Sequence, residues 1–151
     1  MNTTINKVQE NLSLMHTYFD ALFGKDLSPI LNMMDENIEW LIVPTGDVIK
    51  GKDAIASGAK NHWAGSPDRV KKLINLFADE EFACLEYSTS GTVTKRVDFP
   101  SVKIAPSVNK YEFSCCFVFH INNNSKIDRV REYFDMATVN RQLGGIANAV
   151  K

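Results

Sequence analysis

Residues 111–145, YEFSCCFVFHINNNSKIDRVREYFDMATVNRQLGG, decide the fold of this chain. Two runs rich in β-branched and aromatic residues, Tyr111–Ile121 and Ile127–Phe134, meet across the polar segment Asn122–Ser125. Alternating β-forming runs joined by a short polar turn are typical of a β-hairpin. The sequence therefore predicts two long antiparallel strands near the end of the chain.

A strand-to-helix junction follows this hairpin directly. Residues Met136–Leu143 have the length of a short helix, and Gly144 and Gly145 suit its C-terminal end. Asp135 lies at the junction itself. A carboxylate in such a place must be capped, paired or functional, because burying it without a partner is costly.

The first half of the chain is predicted to be mainly helical. One apolar stripe, spaced by three and four residues, indicates a long first helix and consists of Ile5, Val8, Leu12, Met15, Phe19 and Leu22. A second helix is expected from Asp26 or Ser28 through Met34, and a third over Ala54–Trp63 with Asp53 as its cap. Between them, Ile38–Val43 is predicted to form a strand, with Val48–Lys50 as a short partner.

The middle of the chain adds two more long strands, Val70–Ala78 and Phe82–Thr94, before a proline-containing loop over Lys95–Lys110 with a short or edge strand. Strands that cluster after helices favour an α+β fold with a curved, mostly antiparallel sheet wrapped around the N-terminal helices. We expect residues 1–151 to form one domain, with a small-molecule pocket at the open end of the sheet.

Composition excludes several classes of partner. The formal net charge of the 151 residues is −1, and no run of Lys or Arg predicts binding to nucleic acid. No apolar run approaches the roughly 18 residues of a membrane span, and no signal peptide is recognised at the N-terminus. Three cysteines, of which Cys115 and Cys116 are adjacent, favour a reduced cytoplasmic setting.

No metal or cofactor site is predicted. The three histidines and three cysteines lack ligand spacing, and neither a CxxC nor an HExxH motif is present. The sequence also has no glycine-rich phosphate loop and no GxSxG nucleophile motif.

A family resemblance rests on five segments that span most of the chain. They are Tyr18–Leu27 (YFDALFGKDL), Ile38–Trp40 (IEW), Gly51–Ile55 (GKDAI), Arg131–Asp135 (REYFD) and Gln142–Gly144 (QLG). Their order and content resemble the NTF2-like superfamily, which has a cystatin-type cone, and specifically its SnoaL-like polyketide cyclase and ketosteroid isomerase branch. The resemblance implies a conical sheet with an interior pocket, no required cofactor and a homodimer formed through the outer face of the sheet.

Asp135 is the first catalytic residue that the resemblance implies. In SnoaL-like cyclases an aspartate before the final helix acts as the general base that removes a proton α to a carbonyl. Desolvation beside Tyr133 and Phe134 would raise the pKa of Asp135 and make it a stronger base. The alternative is structural, because aspartate is also a preferred N-cap residue.

Two further polar residues are candidates for a proton-transfer site. His120 could polarise a carbonyl, although simple hairpin register places it at the opposite end of the strand pair from Asp135. Tyr18 matches the tyrosine that steroid isomerases use to donate a hydrogen bond to an oxyanion. Either residue could instead be structural, His120 at the sheet rim and Tyr18 in the core.

Aromatic residues are the predicted ligand-binding set: Trp40, Trp63, Tyr133 and Phe117. The sequence departs here from the steroid isomerases, because no carboxylate occurs in the run Trp40–Pro44 or at Cys116–Phe117, where their two acids fall. Strand charges are predicted to form a solvated face or cross-strand pairs; they are Glu39, Glu86, Glu112, Asp128, Arg129, Arg131 and Glu132.

The function expected from these features is that of a SnoaL-like protein with an apolar pocket for a small organic molecule. It would act as a cofactor-free isomerase or cyclase by proton transfer. A non-catalytic module that binds a small ligand is the main alternative. An epoxide hydrolase or a protein-interaction adaptor fits the sequence less well, since no second aspartate and no clear partner surface is evident.

Overall fold

The computed structural model describes residues 3–144 and 147–148, with the side chains of residues 6–144. Gly145 and the ends of the predicted 1–151 domain lie outside the described residues. The helices are α1 (Thr3–Gly24), α2 (Leu27–Met33), α3 (Lys52–Gly65) and α4 (Met136–Leu143). The strands are β1 (Met34–Ile42), β2 (Asp47–Lys50), β3 (Val70–Ala78), β4 (Phe82–Thr92), β5 (Val97–Asp98), β6 (Val102–Ile104), β7 (Lys110–Ile121), β8 (Ile127–Phe134) and β9 (Ala147–Asn148).

One curved six-stranded sheet dominates the fold. Its strand order is β2-β1-β8-β7-β4-β3, and every neighbouring pair is antiparallel except β1 and β8. A small second sheet joins β5, β6 and β9. The predicted α+β class with a mostly antiparallel sheet is therefore confirmed.

Helix α1 covers one face of this sheet, which we call the inner face. Met15 and Tyr18 of α1 are almost fully buried, at 0% and 1% exposure. The Tyr18 ring lies edge-on to that of Phe119 on β7, with 5.0 Å between the ring centroids. The core is thus formed between α1 and the inner face, and the opposite, outer face is turned away from it.

Several predicted boundaries differ from the observed ones. Gly51, not Asp53, precedes α3 as its N-cap, and its backbone φ of +81° is one that glycine adopts readily. Strand β1 begins at Met34 rather than Ile38, because Met34 already pairs with Ile127 of β8. Asp26 caps α2 as predicted, and its side chain accepts a hydrogen bond from the backbone N–H of Ser28.

Strand β8 has two different faces, because successive side chains on a strand point to opposite sides. Val130 and Phe134 belong to the inner face and pack in the apolar clusters. Glu132 lies between them in the alternation, opposite Phe117 on β7 and Ile42 on β1. The register therefore directs the Glu132 carboxylate inward, among apolar residues.

Candidate functional site

A cavity of about 570 Å³ lies between α1, α3 and the inner face of the sheet. Four of the residues predicted from the sequence line it: Tyr18, Trp40, Trp63 and Phe117. The Trp40 and Phe117 rings pack edge to face, with 5.1 Å between their centroids. The fold thus brings one predicted catalytic residue and three predicted ligand-binding residues to one cavity.

Asp135 lies outside this cavity. It is exposed, and one carboxylate oxygen accepts a hydrogen bond from the backbone N–H of Ala137 at 2.9 Å. The other accepts from the Thr138 hydroxyl at 2.6 Å. These bonds, chiefly the one from Thr138, lower the pKa of Asp135. The geometry is that of an N-cap for α4, and it gives Asp135 no position from which to act as a base on a ligand in the cavity.

His120 and Tyr133 also lie away from the cavity. His120 Nδ1 is 2.5 Å from a carboxylate oxygen of Asp128, and its ring packs against exposed Phe82. The Tyr133 hydroxyl accepts a hydrogen bond from Arg131 Nε at 2.8 Å, and 37% of Tyr133 is exposed. Both side chains belong to the outer face, because the residues on either side of each in its strand point inward: Phe119 and Ile121 beside His120, and Glu132 and Phe134 beside Tyr133.

Glu132 is a carboxylate that faces the cavity. Of the two environments predicted for strand charges, a solvated face is wrong for Glu132, whereas a cross-strand contact is present. The Trp40 indole N–H donates a hydrogen bond of 3.0 Å to Glu132 Oε2. Burial raises the pKa of Glu132, while the hydrogen bond from Trp40 and the charge of Lys71 act in the opposite direction. The carboxyl group is shielded from bulk solvent and opens to the cavity, which accounts for its partial exposure.

Lys71 is the second buried ionisable group at the cavity. It is 8% exposed, and its Nζ lies 4.0 Å from the centroid of the Tyr87 ring, a cation–π contact. Burial, reinforced by the positive charge of Arg69, lowers the pKa of Lys71 to about 7. Lys71 can therefore exchange a proton near neutral pH.

Arg69 and His62 also line the cavity and contact each other. Arg69 Nη1 lies 3.1 Å from Nδ1 and 3.0 Å from Nε2 of His62. Burial, then the charges of Arg69 and Lys71, lower the pKa of His62, which keeps the imidazole neutral. A neutral imidazole accepts only one hydrogen bond, so Arg69 Nη1 satisfies a single ring nitrogen.

The cavity is lined mainly by apolar side chains, together with the ionisable groups Glu132, Lys71 and Arg69. A buried carboxylate with a raised pKa can take a proton from a weak carbon acid and return it. Among the described residues no cluster of histidine, cysteine, aspartate and glutamate side chains could hold a metal ion. Nor is any helix in the described part of the chain long and apolar enough to cross a membrane.

Sequence reasoning missed Glu132 although a signal was present. Glu132 is in phase with Val130 and Phe134, which period-two alternation places on one face. Lys71 had no such signal, because Lys72 follows it and either could face inward. Only the pairing of Lys71 with buried Thr89 on β4 settles its direction.

Comparisons with known proteins agree with the fold. A structure from Jannaschia sp. CCS1, described as a SnoaL-like polyketide cyclase, superimposes with a TM-score of 0.78 at 12% identity, covering 90% of this chain and 92% of that one. A protein from Kribbella flavida described as a ketosteroid isomerase gives 0.67 at 15% identity, with 89% and 82% coverage. A LEH-like epoxide hydrolase from M. tuberculosis gives 0.66 at 16% identity, with 90% of each chain covered.

These identities are low, so the structural likeness establishes the fold alone. A comparison with curated proteins finds no match. The family model of the SnoaL-like domain, however, matches residues 15–140, which is most of the chain. It includes α1 from Met15 onward, the whole six-stranded sheet and the first half of α4. The chain therefore belongs to the SnoaL-like domain family, within the NTF2-like superfamily.

Proposed function

We propose that this SnoaL-like protein binds a small carbonyl-bearing organic molecule and catalyses its isomerisation or cyclisation by proton transfer, without a cofactor. Glu132 is the general base. The observation that carries this proposal is a carboxylate that faces the cavity, has a raised pKa and is held by the Trp40 indole. Asp135, the base suggested by family resemblance, has its two oxygens engaged in capping α4.

The proposed step is balanced within the cavity. Glu132 removes a proton from the carbon next to the carbonyl, and the electron pair of the broken C–H bond moves into an enolate. The carbonyl oxygen then carries the negative charge. Where a neighbouring C=C bond extends the enolate to a dienolate, return of the proton from Glu132 to the far carbon isomerises the ligand. Alternatively, the enolate carbon attacks a second carbonyl and closes a ring, and Glu132 gives its proton to the alkoxide that forms. Trp40 engages Glu132 Oε2, so Oε1 is available to take the proton.

Tyr18 is the proposed donor to the enolate oxygen. Burial, with the charge of Glu132, raises the pKa of Tyr18, so its hydroxyl stays protonated and can donate a hydrogen bond. Trp40, Trp63 and Phe117 supply apolar walls against which the body of the ligand packs. The proposal thus keeps Tyr18 and these three aromatic residues in the roles inferred from the sequence.

Hydrogen–deuterium exchange tests the proposed proton transfer without knowledge of the natural substrate. We would incubate phenylacetone and phenylpyruvate with the protein in D₂O and follow loss of the α-proton signals by NMR. Glu132→Gln keeps an acceptor for the Trp40 N–H but cannot act as a base. We expect the protein to accelerate exchange and Glu132→Gln to reduce that acceleration about 100-fold or more.

Asp135→Asn is the matched control, because it changes a carboxylate of the same segment that lies outside the cavity. We expect it to exchange as fast as the wild type. A rate that is unchanged by Glu132→Gln, or lost with Asp135→Asn, would contradict the proposed base. Absence of enzyme-dependent exchange for both compounds would favour the alternative function, a non-catalytic module that binds small ligands against the same apolar walls.

We also infer a homodimer formed through the outer face of the sheet. Three large apolar side chains on or near strands β3 and β4 are strongly exposed: Ile74 at 46%, Phe77 at 61% and Phe82 at 42%. A patch of this kind favours contact with another protein surface. Light scattering should give twice the 17.0 kDa chain mass, and Phe77→Asp should shift it toward the monomer.

The proposed location is the cytoplasm. Cys84 Sγ and Cys116 Sγ lie 3.3 Å apart as free thiols. An oxidising compartment would favour their conversion to a disulfide, whereas a reducing one preserves both. Thiol labelling of the protein taken directly from cells should modify both residues, and recovery of a Cys84–Cys116 disulfide would argue against this location.

A further inference from the structure

A small chamber of about 60 Å³ adjoins the large cavity and shares part of its lining. His62, Arg69, Lys71, Tyr87 and Glu132 line both spaces, so the two chambers share their polar boundary. Beyond that boundary the small chamber reaches apolar residues of β6 and α4 that do not line the large cavity. What this chamber binds is therefore a separate question.

Arg69 presents an unused hydrogen-bonding edge at this boundary. The residue is only 9% exposed, yet its Nε and Nη2 atoms have no hydrogen-bond partner among the described residues. Nη1 alone is engaged, by His62. Nε and Nη2 form one edge of the planar guanidinium group, the fork that binds a carboxylate through two parallel hydrogen bonds.

A second unpaired donor lines the same chamber. The Thr89 hydroxyl is buried and also lacks a partner among the described residues. Thr89 lies directly opposite Lys71 in the β3–β4 register, and both Thr89 and Arg69 line the small chamber. The neighbouring hydroxyls of Ser66 and Tyr111 are 2.8 Å apart and satisfy each other. Among the described lining residues, Arg69 and Thr89 thus carry buried donors without a partner.

The charges around the chamber also favour an anionic ligand. The buried cations are Arg69 and Lys71, and Glu132 is the buried carboxylate among the described lining residues. Asp98, at the outer cavity, is exposed and forms an ion pair with Arg96. With Lys71 and Glu132 both ionised, the buried lining carries one more positive than negative charge. An unpaired buried charge is costly, and an anionic ligand would offset that cost.

We infer that the small chamber binds the carboxylate group of the ligand, through the Nε–Nη2 edge of Arg69 and the Thr89 hydroxyl. The substrate class is then a carbonyl compound that carries a carboxylate, such as a keto acid; this assignment rests on the proposed function. The carboxylate anchors in the small chamber while the carbonyl and its α-carbon remain in the large cavity beside Glu132. Binding of the anion itself does not require that Glu132 catalyse any reaction.

The binding test uses acetate as the probe, with acetamide as its neutral counterpart, at constant ionic strength. A ligand that binds the folded state raises the melting temperature. We expect acetate to raise the melting temperature of the wild type and acetamide not to. The acetate effect should be lost in Arg69→Met, reduced in Thr89→Val, and kept in Arg131→Met, which removes an arginine from the outer face.

Arg69→Lys guards against a variant that fails to fold. It retains the positive charge but not the fork, so we expect the acetate effect to be clearly smaller than in the wild type. The inference would be overturned if acetate raised the melting temperature of Arg69→Lys and Arg69→Met as much as that of the wild type. It would also be overturned if acetate did not raise the melting temperature of the wild type. A larger effect of inorganic phosphate than of acetate, lost in Arg69→Met, would overturn the assignment of the anion as a carboxylate.

A second measurement separates this inference from the proposed function. In D₂O, the acceleration by the protein over each compound's own uncatalysed exchange rate should be larger with phenylpyruvate than with phenylacetone, and Arg69→Met should remove that preference. The acetate effect should persist in Glu132→Gln. Exchange that shows no preference for the acid overturns the carboxylate site alone. An intact acetate effect with no exchange of either compound overturns the catalytic proposal alone.

Discussion

Glu132 and Asp135 are carboxylates only three residues apart, yet the fold gives them opposite environments. Glu132 is buried at the cavity, and desolvation raises its pKa. Asp135 is exposed at the start of α4, and hydrogen bonds from Thr138 and Ala137 lower its pKa. The difference arises from geometry, because β8 ends at Phe134, between the two residues, and α4 begins directly after Asp135. Residue type alone therefore does not identify the carboxylate that faces the cavity in this segment.

The two faces of β3 offer the same contrast for lysine. Lys71 is buried beside Tyr87, whereas its neighbour Lys72 is exposed on the other face. Burial makes the charged form of Lys71 unfavourable, so the pKa falls from 10.5 to about 7. The inner face thus contains ionisable groups at a cost in stability, and the outer face contains them without such a cost.

Lys71→Met should sharpen this contrast with the largest effect on stability. A lowered pKa in the folded state means that charged Lys71 destabilises the fold below about pH 7, and that stability recovers as the pH rises from 7 to 10.5. We expect Lys71→Met to raise the free energy of unfolding by roughly 2 kcal/mol or more near pH 6, with a smaller gain at about pH 10.

Chemical denaturation at both pH values measures that gain. Lys72→Met is the matched control, and we expect it to leave the free energy of unfolding nearly unchanged at either pH. A gain for Lys71→Met that is independent of pH would mean that packing, not charge burial, distinguishes the two lysines.

Trp40→Phe should have the next largest effect, through Glu132. It removes the N–H that donates to Glu132 Oε2. Because this bond favours the ionised carboxylate, its loss should raise the pKa of Glu132 further. Hydrogen bonds to charged groups are worth about 1.5–3 kcal/mol. We therefore expect a loss of stability of that order when Glu132 is ionised, and less when it is protonated.

Trp63→Phe provides the comparison for Trp40→Phe, since Trp63 lines the same cavity without a bond to Glu132. Its effect on stability should not depend on the protonation of Glu132. Urea unfolding across the acidic to neutral range distinguishes the two variants. Parallel pH profiles for Trp40→Phe and Trp63→Phe would show that the indole does not control the carboxylate.

Asp135→Ala should have the smallest effect on stability, and it tests the role of the exposed carboxylate in the comparison with Glu132. It removes the acceptor for the N–H of Ala137 and the hydroxyl of Thr138. Asparagine also caps helices well, so Asp135→Asn should retain most of the melting temperature that Asp135→Ala loses. The lowered pKa of Asp135 means that its contribution disappears as the pH falls below the ordinary aspartate range.

Thermal melts at neutral and acidic pH measure this contribution. We expect the difference between wild type and Asp135→Ala to be present at neutral pH and to shrink at low pH. Equal losses for the Asn and Ala variants would argue against capping as the role of Asp135.

The fold was largely predictable because its signals are local and periodic. The hairpin of Tyr111–Ile121 and Ile127–Phe134, the capped helix after Asp135 and the stripe of α1 all depend on neighbours in sequence. Hairpin register also predicted that His120 lies at the opposite end of the strand pair from Asp135, although it did not predict the register shift between His120 and Ile121. Four of the predicted residues line the cavity because they are large aromatic side chains in inward positions, and their roles stay predictions.

The ionic part of the site was less predictable because it depends on contacts distant in sequence. Lys71 packs on Tyr87 of β4, and Glu132 accepts a hydrogen bond from Trp40, which is 92 residues away in the chain. Charged residues on strands are usually solvated, and that tendency misassigned Glu132. Alternation within β8 gave the correct direction, and it deserved more weight than the general preference for exposing charge.

The titration of Glu132 and Asp135 in one sample tests the central claim most directly. Carbon NMR of the side-chain carboxyl groups, assigned with Glu132→Gln and Asp135→Asn, reports both midpoints. We expect Glu132 to titrate above its ordinary value of 4.5 and Asp135 below its ordinary value of 3.8. A midpoint for Glu132 at or below 4.5 would contradict the account, because the buried carboxylate would then have no perturbed basicity.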